Sequence, residues 1–205
     1  WRNKGFRKVL SLLPARSVDQ GMDYVVSLVE VNLASRLVDG TVRAYQQALT
    51  LHMMPINLIG VAISNAAFPQ LTEYLGEGRN DLFQKDLRSL LRIIFWMALP
   101  VSVVIFFTRG YVVHFIRNGG KQLIAGILGC LVVAILFRTI YHMAARAFYV
   151  RQDTKTPLYI SIFSISLNII LAIVLSMVLK MGAYGLAWAQ STVAVLEVVV
   201  LLAVM

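Results

Sequence analysis

The sequence predicts an all-α fold, a polytopic membrane helical bundle of six transmembrane helices. Three observations predict it. Hydrophobic residues make up 59% of the 205 and charged residues only 14%, where a soluble domain is about a quarter charged. Mean hydropathy is +0.74. Apolar runs recur along the chain at lengths near the roughly 20 residues that cross a bilayer core, separated by polar or basic segments. The formal net charge of +9 lies between these runs rather than in a patch with interleaved aromatics, so it reads as topology and headgroup signals and not as a nucleic-acid surface.

Residues 1–16 place Arg2, Lys4, Arg7, Lys8 and Arg16 around Phe6, Val9, Leu10 and Leu12, a short basic amphipathic segment suited to an anionic membrane surface and ended by Pro14. No short apolar core with a cleavage site follows, so no cleavable signal peptide is read. The remainder, 17–205, is expected to form one six-helix lobe, with spans at about 17–39, 42–71, 90–107, 123–146, 158–179 and 183–205. The chain opens on Trp1 and stops inside an apolar run at Met205, as expected of a fragment of a larger transporter.

The first span is polar. Asp23, Ser27 and Glu30 share one face, and Asn32, Arg36 and Asp39 lie nearly opposite. Taken alone the segment fits a soluble amphipathic helix; beside five further apolar runs it fits a cavity-lining span. Acids within a span are costly unless paired, hydrated or bound to an ion, which singles out Glu30 as the deepest.

The second span, within residues 41–76, is overlong and holds Pro55, Gly60 and Pro69. Pro55 removes a backbone donor and crowds the preceding turn, which predicts a kink or break. Asp39, Arg43, Gln46, Thr50, Asn57, Gly60 and Ser64 follow helical spacings and form one polar stripe, opposite Leu49, His52, Ile56, Ile59 and Ile63. Such a stripe either lines an aqueous path or packs helices through small and amide residues; Arg43, Gln46 and Gln47 favour the aqueous path.

Residues 72–92 turn polar around Gly76 and Gly78, with Leu82, Phe83, Leu87, Leu90 and Leu91 suited to an interfacial helix. An apolar span follows with Pro100 inside it, and 109–121 read as a surface loop or half-helix. In the fourth span Arg138, His142 and Arg146 recur every four residues as one basic face. Arg146 is near enough to the end to snorkel, and His142 alone fits a hydrogen-bonded histidine between helices. In the fifth, Asn168 stands among apolar residues, as interhelical glue or an oxygen ligand. Basic residues concentrate on one side of the predicted spans, which assigns the N-terminus, the 72–92 loop and the 147–157 loop to the cytoplasm.

No catalytic residue is singled out: metalloprotease, nucleophile-elbow and phosphate-loop motifs are missing, and no His/Cys cluster has metal-ligand spacing. The single cysteine, Cys130, lies in an apolar run and cannot form a disulfide within the chain.

Four blocks carry a family resemblance. They are NLASRLVDGTVRAYQ at 32–46, PINLIGVAISNAAFPQL at 55–71, RAFYVRQDTKTP at 146–157 and GAYGLAWAQS at 182–191. In this order they resemble the second lobe of the MurJ/MviN family of lipid II flippases, related to multidrug and polysaccharide exporters. The resemblance implies one lobe of a two-lobe exporter-type flippase in the bacterial cytoplasmic membrane, working by alternating access in peptidoglycan and cell-wall synthesis. Its implied partners are membrane lipids, a polyprenyl-pyrophosphate-linked glycopeptide and the N-terminal lobe of the same protein. On this reading Arg43, Gln46, Thr50, Asn57, Ser64, Arg138 and His142 line the substrate cavity. No resident cofactor is implied; some members couple to sodium or membrane potential, and Glu30 with Asn168 is the candidate cation site. Two departures stand out: Thr50 replaces an arginine that many members carry five residues before the proline equivalent to Pro55, and His142 stands where a basic residue precedes the F-Y motif. The alternatives are export of another polyprenyl-linked glycan or amphiphile, and a transport-inactive scaffold for cell-wall enzymes.

Overall fold

The computed structural model describes residues 24–37, 39–116 and 121–205, so the basic segment 1–16 and Asp23 lie outside the described residues. The described residues form helices joined by turns, with no strand among them. We number the helices α1 (Tyr24–Ser35), α2 (Thr41–Gly76), α3 (Asn80–Ile116), α4 (Lys121–Val150), α5 (Lys155–Val178) and α6 (Ala183–Val204). Helices α2 to α6 are each long and apolar enough to cross a membrane.

α2 does not break at Pro55. It passes into a π-helical stretch, Ile56–Val61, and resumes as α-helix to Gly76. Proline removes one donor from the ladder, and the segment beyond it takes the wider π geometry, in which the N–H of Ala62 reaches back five residues to the carbonyl of Asn57. The wider turn also rotates everything beyond it. Arg43, Gln46, Thr50 and Asn57 are exposed on one face, but Ser64 is fully buried. The predicted stripe therefore ends at the π segment, because a heptad spacing keeps a side chain on one face only while the helix stays α. Gly60, inside this segment, lets α2 touch α4: a Cβ there would meet the Thr139 carbonyl oxygen at 2.9 Å and its Cα at 3.0 Å.

α3 corrects a second expectation. The interfacial helix, the third span and residues 109–116 are one continuous helix of 37 residues, about 55 Å long at 1.5 Å per residue. Amphipathic leucines at its start and apolar residues beyond it share one helical phase, so nothing local stops it. A loop or half-helix at 109–116 is thus overturned, and Pro100 is absorbed without a break.

The turns are set by local chemistry. α2 ends in a Schellman motif: Gly78 is left-handed (φ 73°), its N–H meets the Leu75 carbonyl, and the Arg79 N–H meets that of Tyr74. α4 ends in the same way, with Gln152 at φ 61° where glycine is usual, and the Asp153 N–H returning to Phe148. Asp153 then caps α5: Oδ1 accepts from the N–H groups of Lys155 and Thr156, both at 3.1 Å, and Oδ2 accepts from the Thr156 hydroxyl at 2.6 Å. The Thr156 hydroxyl foremost, with these backbone donors, holds the Asp153 carboxyl below its ordinary range.

α4 is the central helix. Over its apolar window 56% is buried, against 17% in α3, which presents Phe95, Trp96, Phe106, Phe107 and Phe115 outward. In lipid such exposure costs nothing, since tails are as apolar as the side chains. Two apolar cores stack along α4. One gathers Leu33, Tyr45, Ile127, Leu128, Leu131 and Leu186; the other gathers Leu71, Phe83, Ile94 and Met143. At the second end the Arg151 guanidinium lies 5.2 Å from the centre of the Phe83 ring and reaches the Met205 carbonyl at 3.5 Å. The start of α3, the α4–α5 turn and the end of α6 thus share one basic end. At the opposite end Arg109, stacked on Phe106 at 4.3 Å, packs on Gly129, and Tyr184 packs on Gly126.

Candidate functional site

Two polar regions emerge, and the predicted site residues divide between them. Arg43, Gln46, Thr50 and Asn57 lie on the uncovered face of α2, where Thr50 and Asn57 flank a shallow depression with Leu49, Met53 and Met54. The Thr50 hydroxyl is spent on the carbonyl of Gln46 at 2.9 Å. On the opposite face His52, Ile56 and Ile59 are buried against the rest of the lobe.

Arg138 and His142 line a cavity of about 410 Å³ inside the lobe, together with Arg146, Asn168, Ser161, Ser164, Tyr141, Tyr149 and Glu197. The four-residue spacing on α4 aims all three basic residues the same way, and α2, α5 and α6 close round them. The Tyr141 and Ser161 hydroxyls lie 3.3 Å apart across α4 and α5, and Arg146 stands 5.7 Å from the Phe68 ring centre. Ser64 is buried and does not join the exposed face of α2.

Glu30, only 1% exposed, accepts two hydrogen bonds from Gln190 Nε2, at 2.9 and 3.1 Å. Tyr45 is fully buried beside the carboxylate, its hydroxyl outside good hydrogen-bond geometry. Arg138 lies within electrostatic reach of Glu30, Tyr45, His52 and His142. A carboxylate withdrawn from water needs such donors and a nearby cation. Of the two residues read as a candidate cation site, Glu30 is held by Gln190. Asn168, 2% exposed, lines the cavity, and its Oδ1 has no hydrogen-bond partner. No cluster of three or more His, Cys, Asp or Glu able to hold a metal ion occurs among the described residues.

Sequence reasoning passed over Gln190, Glu197 and Tyr45. A signal was there for the first two: they are seven residues apart in an otherwise apolar run, which puts both on one face of α6. Tyr45 carried none, since an aromatic at that spacing is ordinary core.

Long apolar helices, with an outward polar face on one of them and charged groups buried within, define a polytopic membrane helical bundle. The chain belongs to the lipid II flippase MurJ family, whose profile matches residues 1–205. It is 25% identical over 194 residues to a probable lipid II flippase MurJ of Thermotoga maritima, covering 92% of this chain and 40% of that protein. With the corresponding protein of Borreliella burgdorferi the identity is 27% over 173 residues, covering 82% and 34%. The chain therefore spans about 40% or less of the length of these curated relatives. Among solved structures it superposes on lipid II flippase MurJ in an inward closed conformation, with a TM-score of 0.83 at 23% identity, over 100% of this chain and 44% of that one. It also superposes on MATE in the straight conformation, with a TM-score of 0.88 at 12% identity, over 98% and 45%. At these identities both likenesses speak for the fold. It is a multi-pass protein of the bacterial cytoplasmic membrane, as its family and its apolar helices define.

Proposed function

We propose that this chain is the second lobe of a flippase that carries lipid II from the cytoplasmic to the outer leaflet by alternating access. The observation that supports this reading most is the family match across residues 1–205. The uncovered face of α2 gives it a physical basis. Arg43, Gln46, Thr50 and Asn57 are exposed on a helix whose other face is packed, an arrangement wasteful in lipid and useful beside a hydrated path. A charged headgroup crossing hydrocarbon alone meets a prohibitive cost, whereas a wet path with cationic and amide groups compensates its phosphates. Opposite this face the reading requires another lobe, and rocking of one lobe on the other moves the path between leaflets. The function needs no covalent step, and the chain is read as no enzyme.

Glu30, held by Gln190 and close to Tyr45 and Arg138, is the carboxylate through which ion coupling would act in this lobe, with Asn168 as the second candidate group. Replacing Glu30 by Gln in the full-length protein is expected to change the ion dependence of transport; unchanged dependence removes Glu30 from this role. The function itself is tested by expressing the full-length protein in a bacterium depleted of its own lipid II flippase. Growth and labelled lipid II in the outer leaflet are the expected results. Failure despite normal membrane levels points to another polyprenyl-linked glycan or amphiphile as cargo.

A further inference from the structure

Over its first turns α3 packs on one side only. Phe83, Leu87 and Ile94 are buried against the rest of the lobe, while Lys85, Arg88, Ser89 and Arg92 lie on the opposite face, all exposed. Among the described residues no acid pairs with these three cations. The Asp86 carboxylate accepts from Gln70 Nε2 at 3.3 Å, and Asp81 stands at the far end of the shallow depression that the stripe borders. Like charges three and four residues apart on one helix face repel, so the stripe carries a cost that an anion removes.

The same face continues into the apolar span. Trp96, one turn beyond Arg92, is 65% exposed, and exposed tryptophans sit at the headgroup level of a membrane. Beyond it a groove of about 300 Å³ runs between α3 and α4, lined by Leu99, Val103, Phe107, Val133 and Phe137 and apolar but for the Ser102 hydroxyl. Lys85, Arg88 and Ser89 of the depression stand 18 residues before Val103, Phe106 and Phe107 of the groove. At about 3.6 residues per turn that is five whole turns, so the two lie on one line along the helix. Arg92 to Phe107 spans 15 residues, about 22 Å along the axis, and one leaflet with its headgroups is about 20–22 Å thick. Cations, an interfacial ring and an apolar groove thus follow one another over the depth of one leaflet, in the order of a phospholipid from phosphate to tail. A free phosphate leaves the groove unfilled, and a zwitterionic lipid brings a positive group to three cations.

We propose that this face of α3 binds one anionic phospholipid of the cytoplasmic leaflet. Its phosphate sits on Arg88, Arg92 and the Ser89 hydroxyl, through charge-assisted hydrogen bonds, and one acyl chain lies in the groove between α3 and α4. The chain fills the contact between these helices where α3, with 17% of its apolar window buried, is thinly packed. The site is on a different helix from the uncovered face of α2 and is independent of the cargo read there.

Fluorescence of the purified full-length protein in mixed micelles tests this, with phosphatidylglycerol and phosphatidylcholine, each brominated on the acyl chain, as probes. The part of the quenching that Trp96→Phe removes reports on this site. Phosphatidylglycerol is expected to reach half of that quenching at a concentration at least about tenfold lower than phosphatidylcholine, since each basic residue near a membrane surface favours an anionic lipid. Replacing Arg88→Gln and Arg92→Gln together is expected to erase the preference and leave phosphatidylcholine unchanged. Val133→Phe, which narrows the groove, is expected to weaken both lipids alike. Arg36→Gln, at an exposed position on the opposite end of the lobe, is expected to leave the preference intact. Equal half-quenching concentrations, a preference that survives the double replacement, or no quenching of Trp96 by either lipid overturns the proposal. So does reversal of the quenching by unbrominated lipid II at a lower concentration than by unbrominated phosphatidylglycerol, which gives the face to the cargo.

Discussion

The outward face of α2 and the interior of the lobe are both polar, yet they obey opposite rules. On α2, Arg43, Gln46, Thr50 and Asn57 are exposed, so each is solvated by whatever lies opposite and contributes little to holding the lobe together. Inside, Glu30 takes two hydrogen bonds from Gln190, and Arg138, His142 and Glu197 line the cavity beside α4. There every partner counts, because water cannot replace it. The same residue types are thus left open on the α2 face and committed to the fold in the interior.

This contrast breaks if the interior tolerates mutation as the face does. The largest effect is expected for Gln190→Leu, which strips the Nε2 donor and both its hydrogen bonds from a buried carboxylate and should cost about 2–3 kcal/mol, read as a lower melting temperature in detergent. Adding Glu30→Leu should recover most of that loss, since removing both partners of a buried pair is far less costly than removing one. Next comes Gly60→Ala. Its Cβ would press on the Thr139 backbone at 2.9–3.0 Å, and about 1–3 kcal/mol of overpacking is expected.

Smaller effects sharpen the contrast at the turns. Asp153→Ala should cost about 1 kcal/mol by uncapping α5. The lowered carboxyl fixes the sign of its pH dependence: the cap's contribution is present above the ordinary carboxylate range and fades as pH falls through the depressed value. Thermal scans between neutral and acid pH should show the wild type and Asp153→Ala converging at the acid end. Gln152→Gly, at φ 61°, should stabilise the lobe by up to about 1 kcal/mol, the left-handed strain of a side chain there. Smallest in stability is Arg43→Gln, expected within about 0.5 kcal/mol of wild type as a surface change. Its effect on growth in the flippase-depleted strain should nevertheless be clear, and unimpaired growth would take Arg43 out of the cargo path.

Much of this was legible in the residues. Apolar runs of spanning length, Asp153 before Thr156 and Pro157, and Gly78 after a helical run specify helices and turns through neighbours only a few residues apart. The basic face Arg138–His142–Arg146 follows from helical period alone. The polar stripe of α2 was legible as far as Asn57 and then misread, because a π turn changes the period without any residue that announces it. The continuity of α3 through 109–116 was missed for a related reason: charges at Arg109 and Arg117 look like a loop until Arg109 is seen stacked on Phe106 and seated on Gly129.

By itself, then, the sequence determined the class, the helices and the face on which each polar residue sits relative to its near neighbours, since these depend on local period and hydropathy. Only the tertiary structure decided which faces are covered. It set Gln190 against Glu30 across 160 residues, enclosed Glu197 and Asn168 with the arginines of α4, and left the α2 face open. Such pairings depend on how helices pack side by side, through close approaches such as Gly60 on Thr139, which no single helix encodes.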